Sequence, residues 1–337
     1  MPVSVAIVGP LGSGKTTLFN ALTAGRGADG VGMVDVPDER LTRLSDAVKP
    51  KKTTPAQVRV EDTPPGSRAQ RVAFARQADV LVKVARCFGP DPEPVAELDE
   101  FTLDLVLSDL SSIEKRLDIV AKEARAGKKD AQRETEVLTK AKEHLDGGKP
   151  LRTLGLEPDD SVLLASVYPV TMKPAVYVAN VADELLPNGG EAAAKVLRAA
   201  SSEDAPVIVL SARLEAELGE LDPEEEKEMR AGYGIDESGL GRIARAVWGA
   251  GGLITYFTAG EPEVRAWPCE RDAAAPQAAA KIHTDFEKHF IRAEVTSVDE
   301  LVAAGSMDAL RAAGRLRVEG RDYRVQDGDV VFFRVGR

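Results

Sequence analysis

The sequence predicts an α/β protein built from a doubly wound parallel sheet, an inserted antiparallel helical hairpin and a small C-terminal α+β module. Short valine-rich runs alternate with helix-like segments through much of the chain, as they do in α/β sheets. A segment rich in Ala, Lys, Glu, Leu and Arg interrupts this alternation, and strand-like runs flank one helix-like stretch near the C-terminus. These three observations define the predicted architecture.

The predicted strands of the sheet are short apolar runs. The first, over residues 3–8, is β-branched and ends before Gly9, which is typical of a buried central strand. A predicted helix follows over residues 15–22, and a glycine-rich loop over residues 25–32. Further apolar runs occupy residues 58–60, 80–84, 176–178 and 207–210.

The predicted helical hairpin occupies residues 103–150. Apolar side chains recur there at spacings of three and four, the pattern of an amphipathic helix, at Leu110, Ile113, Leu117 and Val120. The run breaks at Gly127, and a second helix-like run ends at Gly147. Residues 113–149 carry 10 Lys and Arg against 8 Asp and Glu, so the hairpin is the basic part of an acidic chain. Charge alone is equally compatible with a nucleic-acid contact and with ordinary solvated helix faces.

The C-terminal part of the chain begins at a glycine cluster. The cluster occupies residues 249–252 and indicates a domain boundary. It follows an acidic stretch that begins at Asp222 and a helix-like stretch to about Trp248. Beyond it, strand-like runs surround a helix-like stretch over residues 275–290. The predicted domains are therefore residues 1–102 with 151–250, the hairpin over 103–150, and a C-terminal module over 253–337.

Composition narrows the class of protein. The chain has 337 residues, 43% hydrophobic and 29% charged, which is typical of a soluble globular protein. Its 2 Cys lie far apart, which excludes a disulfide framework and a cysteine zinc site. The net charge of −11 argues against a protein that coats nucleic acid. The N-terminal apolar run is too short for a signal peptide or a membrane span. We therefore expect a cytoplasmic protein without membrane association; we further expect it to be a monomer.

A phosphate-binding loop follows the first predicted strand. Residues 9–16 fit the pattern G-x-x-x-x-G-K-[ST], between a strand and a helix as the pattern requires. Backbone N–H groups of such a loop converge on phosphate oxygens, and the helix N-terminus favours negative charge. Lys15 is expected to reach the β- and γ-phosphates as a catalytic residue, and Thr16 to ligate Mg²⁺. The predicted nucleotide-binding residues of this segment are Gly9, Gly12, Ser13, Gly14, Lys15, Thr16 and Thr17.

A carboxylate follows the strand run at residues 58–60. P-loop proteins place there the acid that holds the water shell of the magnesium ion, which makes Asp62 the second predicted catalytic and metal-binding residue. A solvated acid at the end of a strand is the alternative interpretation of Asp62.

Two later segments predict the part of the site that contacts the base. Asn180 and Asp183 form N-x-x-D, close to the N-K-x-D pattern with which guanine-nucleotide-binding proteins recognise guanine. Val181 stands in place of the lysine, so the choice between ATP and GTP stays open. Ser211 and Ala212, directly after the last strand run of the sheet, match the backbone loop that closes over the base.

The chain resembles the YchF family of Obg-like ATPases. The resemblance is strongest at the C-terminus, in residues 255–260, 263–267, 275–279, 281–288, 290–295 and 325–330. Upstream, residues 34–38, 48–50, 86–88 and 177–181 also fit. The resemblance implies a translation-factor-class P-loop NTPase with a coiled-coil insertion and a C-terminal TGS domain of β-grasp fold. It further implies ATP or GTP with Mg²⁺ as ligands, and contact with the ribosome or RNA through the helical arm and the TGS domain, in translation or stress.

Two departures from the family pattern concern hydrolysis. Residues 25–32 lack the switch threonine that senses magnesium and γ-phosphate, and Pro65 stands where the second switch has its glycine. Proline has no N–H to direct at a γ-phosphate. The loop also reads Gly-Ser-Gly-Lys-Thr-Thr, where the family has Asn-Val-Gly-Lys-Ser-Thr. We therefore expect binding to be retained and hydrolysis to be slow.

Other functions fit the sequence less completely. A non-hydrolysing nucleotide-binding adaptor on the ribosome is the main alternative, for which Pro65 and the short first switch argue. A small-molecule kinase is disfavoured, because no arginine-rich lid follows the loop and the C-terminal module has no role in such an enzyme. Family members carry N-x-x-E and prefer ATP, so the resemblance favours ATP, whereas Asp183 restores an acid suited to guanine.

Overall fold

The computed structural model describes residues 3–336, which form two compact units. The α/β unit contains residues 3–33 and 59–247, and the C-terminal unit contains residues 34–58 and those from Trp248 onward. Within the described part of the chain, none of the helices combines the length and the apolar character needed to cross a membrane.

The strands define two sheets of six strands each among the described residues. In chain order they are β1 (Ser4–Val8), β2 (Val31–Val36), β3 (Thr53–Thr54), β4 (Ala56–Asp62), β5 (Val80–Cys87), β6 (Ala175–Val181), β7 (Val207–Leu210), β8 (Leu253–Ala259), β9 (Val264–Glu270), β10 (Phe290–Ser297), β11 (Arg317–Glu319) and β12 (Asp329–Val335). The first sheet has the order β2-β4-β1-β5-β6-β7, and the second has the order β11-β10-β12-β8-β9-β3.

The helices alternate with the strands. They are α1 (Lys15–Leu22), α2 (Glu39–Val48), α3 (Arg68–Gln77), α4 (Pro94–Arg125), α5 (Lys129–Asp146), α6 (Pro158–Leu164), α7 (Gly190–Ser201), α8 (Ala212–Leu218), α9 (Pro223–Gly232), α10 (Gly239–Ala250), α11 (Ala275–Ile282), α12 (Thr284–Lys288), α13 (Val298–Ala304) and α14 (Met307–Ala312). Single 3₁₀ turns occur at Leu151–Thr153, Ala165–Val167, Val170–Met172 and Asp183–Leu185.

The first sheet is the parallel sheet that the sequence predicts. β1 pairs in parallel with β4 and β5, and β5, β6 and β7 continue the parallel order. The carboxyl ends of these five strands therefore meet at one edge, the edge at which open α/β sheets bind ligands. One difference from the prediction is that β2 begins at Val31, inside the expected glycine-rich loop. The small bridge between Ala28 and Val31 closes that loop before the strand.

Helix ends in this unit follow local capping. Ser67 caps α3 by accepting from the N–H of Gln70, whose side chain accepts from the N–H of Ser67. The acidic stretch beginning at Asp222 forms the start of α9, because the carboxylate of Asp222 accepts from the N–H groups of Glu224 and Glu225, each at 3.0 Å.

The predicted hairpin is present as α4 and α5, joined at Gly127 with a φ of +86°. Its interior is apolar and includes Ile113, Val120, Val137, Leu138, Ala141 and Leu145. α4 starts at Pro94, well before the expected residue 103. The reason is that its first turns bury Phe101 and Leu105 against Ala6 and Val8 of the sheet, so one helix serves both the sheet and the hairpin.

The C-terminal unit contains a mixed sheet. β8 and β9 are antiparallel, β10 pairs antiparallel with β11 and β12, and β12 lies parallel to β8. The predicted helix over residues 275–290 is divided into α11 and α12 by His283, whose backbone is extended. The core of the C-terminal unit includes the aromatic rings of Tyr256, Phe290 and Phe333.

Residues 34–58 belong to this same unit, an arrangement that differs from the predicted domain boundary. α2 packs on α13, β8 and β9, and buries Leu41 and Leu44. β3 then adds a short parallel strand to β9, where Thr54 pairs with Arg265. The physical reason is the amphipathic face of α2, which completes the core on one face of the second sheet.

Candidate functional site

The predicted phosphate-binding loop lies between β1 and α1, at the carboxyl edge of the parallel sheet. Gly9 and Gly14 have φ values of +147° and +90°. A Cβ atom at Gly9 would lie 2.5 Å from the carbonyl oxygen of Val84, and one at Gly14 would lie 2.3 Å from Nδ2 of Asn180. Both positions therefore require glycine because of close neighbours as well as the backbone conformation.

Lys15 begins α1 and lies half-buried beside the loop. Its Nζ donates to the carbonyl oxygen of Pro10 at 2.7 Å, which holds the ammonium group over the loop. Burial lowers the pKa of Lys15, Asp62 opposes that effect, and Arg71 adds to it. Asp62 therefore supports the positive charge of this lysine.

Thr16 and Asp62 are in direct contact. The Thr16 hydroxyl donates to Oδ2 of Asp62 at 2.7 Å. Oδ1 of Asp62 is buried and has no hydrogen-bond partner within residues 3–336. The strand register places Asp62 opposite Ile7, the penultimate residue of β1. A hydroxyl and a carboxylate with a spare buried oxygen form a donor set that suits Mg²⁺, which takes few protein ligands and keeps waters and phosphate oxygens.

Asn180, at the end of β6, connects the phosphate-binding loop to the segment after β7. Its Nδ2 donates to the carbonyl oxygen of Ser13 at 2.9 Å, and its Oδ1 accepts from the N–H of Ala212 at 2.9 Å. Both hydrogen bonds are buried, so Asn180 fixes the relative position of two predicted parts of the site.

Asp183 lies next to Ser211 in a buried position. The Ser211 hydroxyl donates to Oδ1 of Asp183 at 2.5 Å, and the guanidinium group of Arg213 donates to Oδ2. Asp183 is 7% exposed, whereas the side chain of Arg213 is 68% exposed. Both carboxylate oxygens are thus engaged by donors from one short segment after β7.

A cavity of about 450 Å³ lies at this edge of the sheet. Its volume is within the range of small-molecule sites, roughly 300–1,000 Å³. Of the predicted residues, its lining includes Gly14, Thr17, Asn180, Asp183, Ser211 and Ala212. Gly9, Gly12, Ser13, Lys15, Thr16 and Asp62 do not line it and form the adjoining loop and strand end. All the predicted residues lie in the α/β unit.

The cavity is also lined by residues that were not predicted from the sequence as site residues. Phe88 and Gly89, directly after β5, form part of its lining, as do Glu184 and Arg213. The available signal was the position of Phe88 and Gly89 after an apolar strand run, the same signal that identified the other segments. Gly89 has a φ of +79°, which turns the chain at the strand end.

The segments expected to act as switches are short and close to the site. The backbone N–H of Asp62 donates to the carbonyl oxygen of Gly30 at 2.8 Å, so the first segment contacts the strand end that carries the carboxylate. Thr23, the threonine nearest to this segment, is buried and donates to the carbonyl oxygen of Phe19 at 2.9 Å. Pro65 and Gly66 are exposed, and α3 begins two residues later.

Comparison with known proteins gives consistent matches. Residues 253–336 match the family described as "YchF-GTPase_C: Protein of unknown function (DUF933)". A Bacillus subtilis protein named "Ribosome-binding ATPase YchF" is 38% identical, with 99% of each chain covered. An Escherichia coli O157:H7 protein of the same name is 36% identical, again with 99% of each chain covered. The alignments extend over 364 and 360 positions, more than the length of this chain, so these relatives carry segments that it lacks.

A solved structure gives the same result for the fold. It is described as "Structure of the Schizosaccharomyces pombe YchF GTPase", and it matches with a TM-score of 0.89 and 27% identity. The match covers 98% of this chain and 97% of the fission yeast chain. Full-length identity above 35% to bacterial relatives and agreement of the entire fold lead to one conclusion: the chain belongs to the YchF family.

Proposed function

We propose that this protein binds ATP or GTP with Mg²⁺ at the carboxyl edge of its parallel sheet and hydrolyses the nucleotide slowly, as a factor associated with the ribosome. The observation that carries the proposal is the pair of hydrogen bonds made by Asn180. They join the phosphate-binding loop to a cavity of about 450 Å³, as a ligand with phosphates at one end and a planar base at the other requires.

The residues that would hold Mg²⁺ are Thr16, through its hydroxyl, and Asp62, through its carboxylate. The ion would neutralise charge on the β- and γ-phosphate oxygens. Lys15 would add a positive charge from the phosphate-binding loop, where its Nζ now donates to a carbonyl oxygen of that loop. The unpartnered Oδ1 of Asp62 supports this assignment, because a buried acceptor without a donor is costly unless a ligand completes it.

Association with the ribosome is proposed from the names of the bacterial relatives. The helical hairpin is one proposed contact, since residues 113–149 are its basic segment and its two helices present many exposed basic side chains. The module over residues 253–337, proposed as a TGS domain, is the second. Its 12 Lys and Arg against 14 Asp and Glu mean that local patches would make the contact.

Slow hydrolysis is proposed from the two short switch segments. The hydroxyl of Thr23 is committed to a carbonyl oxygen of α1, so it does not substitute for a threonine that senses the γ-phosphate. Pro65 has no N–H to donate to that phosphate. Losing a donor aimed at transition-state charge lowers a rate by about 10²–10³ in other enzymes.

The same two observations favour a second candidate, a nucleotide-binding adaptor without turnover. In that case the nucleotide would stabilise the α/β unit and the protein would act on the ribosome through binding alone. The two candidates share the site and differ only in phosphate release.

Phosphate release from Mg-ATP and Mg-GTP, with and without ribosomes, separates the candidates. We expect slow release that ribosomes accelerate, and loss of release in Lys15→Ala because the loop loses its charged donor. Lys195→Ala, which removes a partly exposed lysine of α7, serves as the matched control and should behave as wild type. Tight binding with no release under either condition would overturn the hydrolase proposal and support the adaptor. Absence of binding to either nucleotide would overturn both.

A further inference from the structure

The base end of the cavity contains an ion pair that the proposed function does not use. Asp183 contributes a buried carboxylate, and Arg213, in the first turn of α8, covers one of its oxygens from the solvent side. Ser211 covers the other oxygen from inside the unit. Asp183 and Arg213 both line the cavity, so this pair faces whatever base occupies it.

Guanine and adenine differ in the hydrogen-bonding groups that they would present to this ion pair. Guanine presents N–H donors at N1 and N2, and a carboxylate is a suitable acceptor for them. Adenine presents an acceptor at N1 and no donor at C2, so an exposed carboxylate offers it nothing there. A guanidinium group is a donor only, and it cannot accept from guanine.

Arg213 therefore determines whether the carboxylate of Asp183 is available to the base. While its guanidinium group donates to Oδ2 and the Ser211 hydroxyl donates to Oδ1, both oxygens of the Asp183 carboxylate already have a donor. A guanine would have to displace the arginine and lose the ion pair before it could be recognised. Because 68% of the arginine side chain is exposed, displacement is possible at a cost, so the pair biases the site without closing it to guanine.

The residue in the usual lysine position strengthens this bias. Val181 is buried and apolar, and it also lines the cavity. It cannot supply the charged side chain that lies along the base in N-K-x-D proteins. Recognition of guanine would thus depend on Asp183 alone, the group that Arg213 covers.

We propose that Arg213 is a specificity-determining residue that masks the carboxylate of Asp183 and makes the site prefer adenine nucleotides to guanine nucleotides. The inference rests on the proposed nucleotide site and adds to it the residue that sets the base preference.

The test measures the affinities of Mg-ADP and Mg-GDP by calorimetric titration in wild type and variants. We expect Arg213→Ala to bind Mg-GDP about three- to fivefold more tightly, which is the upper part of what loss of an exposed ion pair can contribute, with Mg-ADP changed less than about twofold. A gain of binding is expected from removing a side chain, which a damaged fold would not produce. Arg198→Ala, an exposed arginine of α7, is the matched control for the loss of one positive charge and should leave both affinities unchanged.

A second variant identifies the group that is unmasked. Arg213→Ala combined with Asp183→Asn should lose the gain for Mg-GDP, because the amide no longer offers a second carboxylate oxygen to the guanine donors. An unchanged Mg-GDP affinity in Arg213→Ala, or an equal gain for both nucleotides, would overturn the inference while the proposed function stands. Wild-type protein that binds neither nucleotide would overturn the proposed function and this inference with it.

Discussion

At the scale of single residues, the most unusual group outside the candidate site is Lys83 of β5, which is completely buried. Its Nζ donates to the hydroxyl groups of Tyr177 at 3.0 Å and Thr102 at 3.2 Å, and it lies 3.9 Å from the carboxylate of Glu203. Burial lowers the pKa of Lys83 to about 7; Arg152 adds to the effect, whereas Glu203 and Asp99 oppose it. Arg152 contacts Glu203 at 2.6 Å, so this carboxylate has a cation besides Lys83.

This environment predicts a pH-dependent cost to stability. The unfolded chain holds the Lys83 proton up to about pH 10.5, whereas the folded chain releases it at about pH 7. The cost is therefore complete below about pH 7 and is relieved as the pH rises toward about 10.5. We expect Lys83→Met to raise the free energy of unfolding by about 1–3 kcal/mol at about pH 6, and by less at about pH 9.

Urea denaturation at the two pH values measures this difference. Lys195→Met, which removes a partly exposed lysine of α7 paired with the exposed Glu93, should leave stability nearly unchanged at both. An equal loss of stability in Lys83→Met at both pH values would contradict the prediction, because it would mean that the hydrogen bonds of the lysine matter more than its buried charge.

At the scale of elements, the helical hairpin combines an apolar interior with a charged exterior. Its helices bury a continuous apolar seam. Two ion pairs join them, Arg116 with Glu134 at 2.6 Å and Lys142 with Glu114 at 3.2 Å. Lys122 and Arg125 are exposed in the last turn of α4, near the connection at Gly127. Positive charge at the C-terminal end of a helix interacts favourably with the helix dipole. The hairpin can thus present Lys122 and Arg125 without depending on these two residues for its fold.

Charge reversal at the end of α4 tests the proposed ribosome contact. We expect Lys122→Glu with Arg125→Glu to weaken co-sedimentation with ribosomes by about tenfold or more, and to reduce its dependence on salt, because fewer phosphate contacts release fewer counterions. Nucleotide affinity should not change. Arg198→Glu with Lys227→Glu, two exposed positions outside the hairpin, is the matched control. Equal weakening by both double variants would show that net charge, and not the hairpin, governs the association.

At the scale of the whole molecule, the chain enters the C-terminal unit twice, first with residues 34–58 and again from Trp248 onward. Arg40 of α2 links residues 34–58 to the rest of this unit. It pairs with Asp38 and with Asp327, each at 2.7 Å, and its guanidinium carbon lies 5.3 Å from the ring centre of Phe257. Asp327 also accepts from the backbone N–H of Thr255 at 2.8 Å, so two distant parts of the sequence share one ion-pair network.

We therefore expect Arg40→Ala to destabilise the C-terminal unit by about 1–3 kcal/mol, because Asp38 and Asp327 lose their shared cation. Both tryptophans of the chain, Trp248 and Trp267, lie in this unit, so tryptophan fluorescence during urea unfolding reports on it directly. The control is Arg43→Ala on the same helix.

Arg43 pairs at 2.5 Å with Asp299, whose side chain is 80% exposed, and an exposed pair of this kind contributes little. The fluorescence transition of Arg43→Ala should therefore coincide with that of wild type. If the two variants unfold alike, the network around Arg40 does not hold residues 34–58 in the unit.

Much of the architecture followed from sequence periodicity. The runs at residues 3–8 and 80–84 are strands of one parallel sheet, and the spacing of apolar side chains between Leu110 and Val120 gave the first helix of the hairpin. Local patterns of this kind report which face of an element is buried, since the period of a strand or helix is a property of the backbone. They do not report what the face is buried against.

The candidate site shows the same limit. The pattern over residues 9–16 predicted a phosphate-binding loop because its glycine, lysine and threonine residues lie close together in the chain, and the loop lies where the pattern places it. Phe88 and Gly89 belong to no such motif and are marked only by their position after an apolar strand run; the order of the strands brings them to the cavity.

The sequence by itself determined the strands and helices that its apolar periods mark, the phosphate-binding pattern and the basic hairpin, because each depends on residues close together in the chain. Only the tertiary structure decided that residues 34–58 join the C-terminal unit and that Arg213 covers the carboxylate of Asp183. Those arrangements depend on side chains brought together by the packing of whole elements. Their energy is a sum of contacts between distant segments, which no local pattern records.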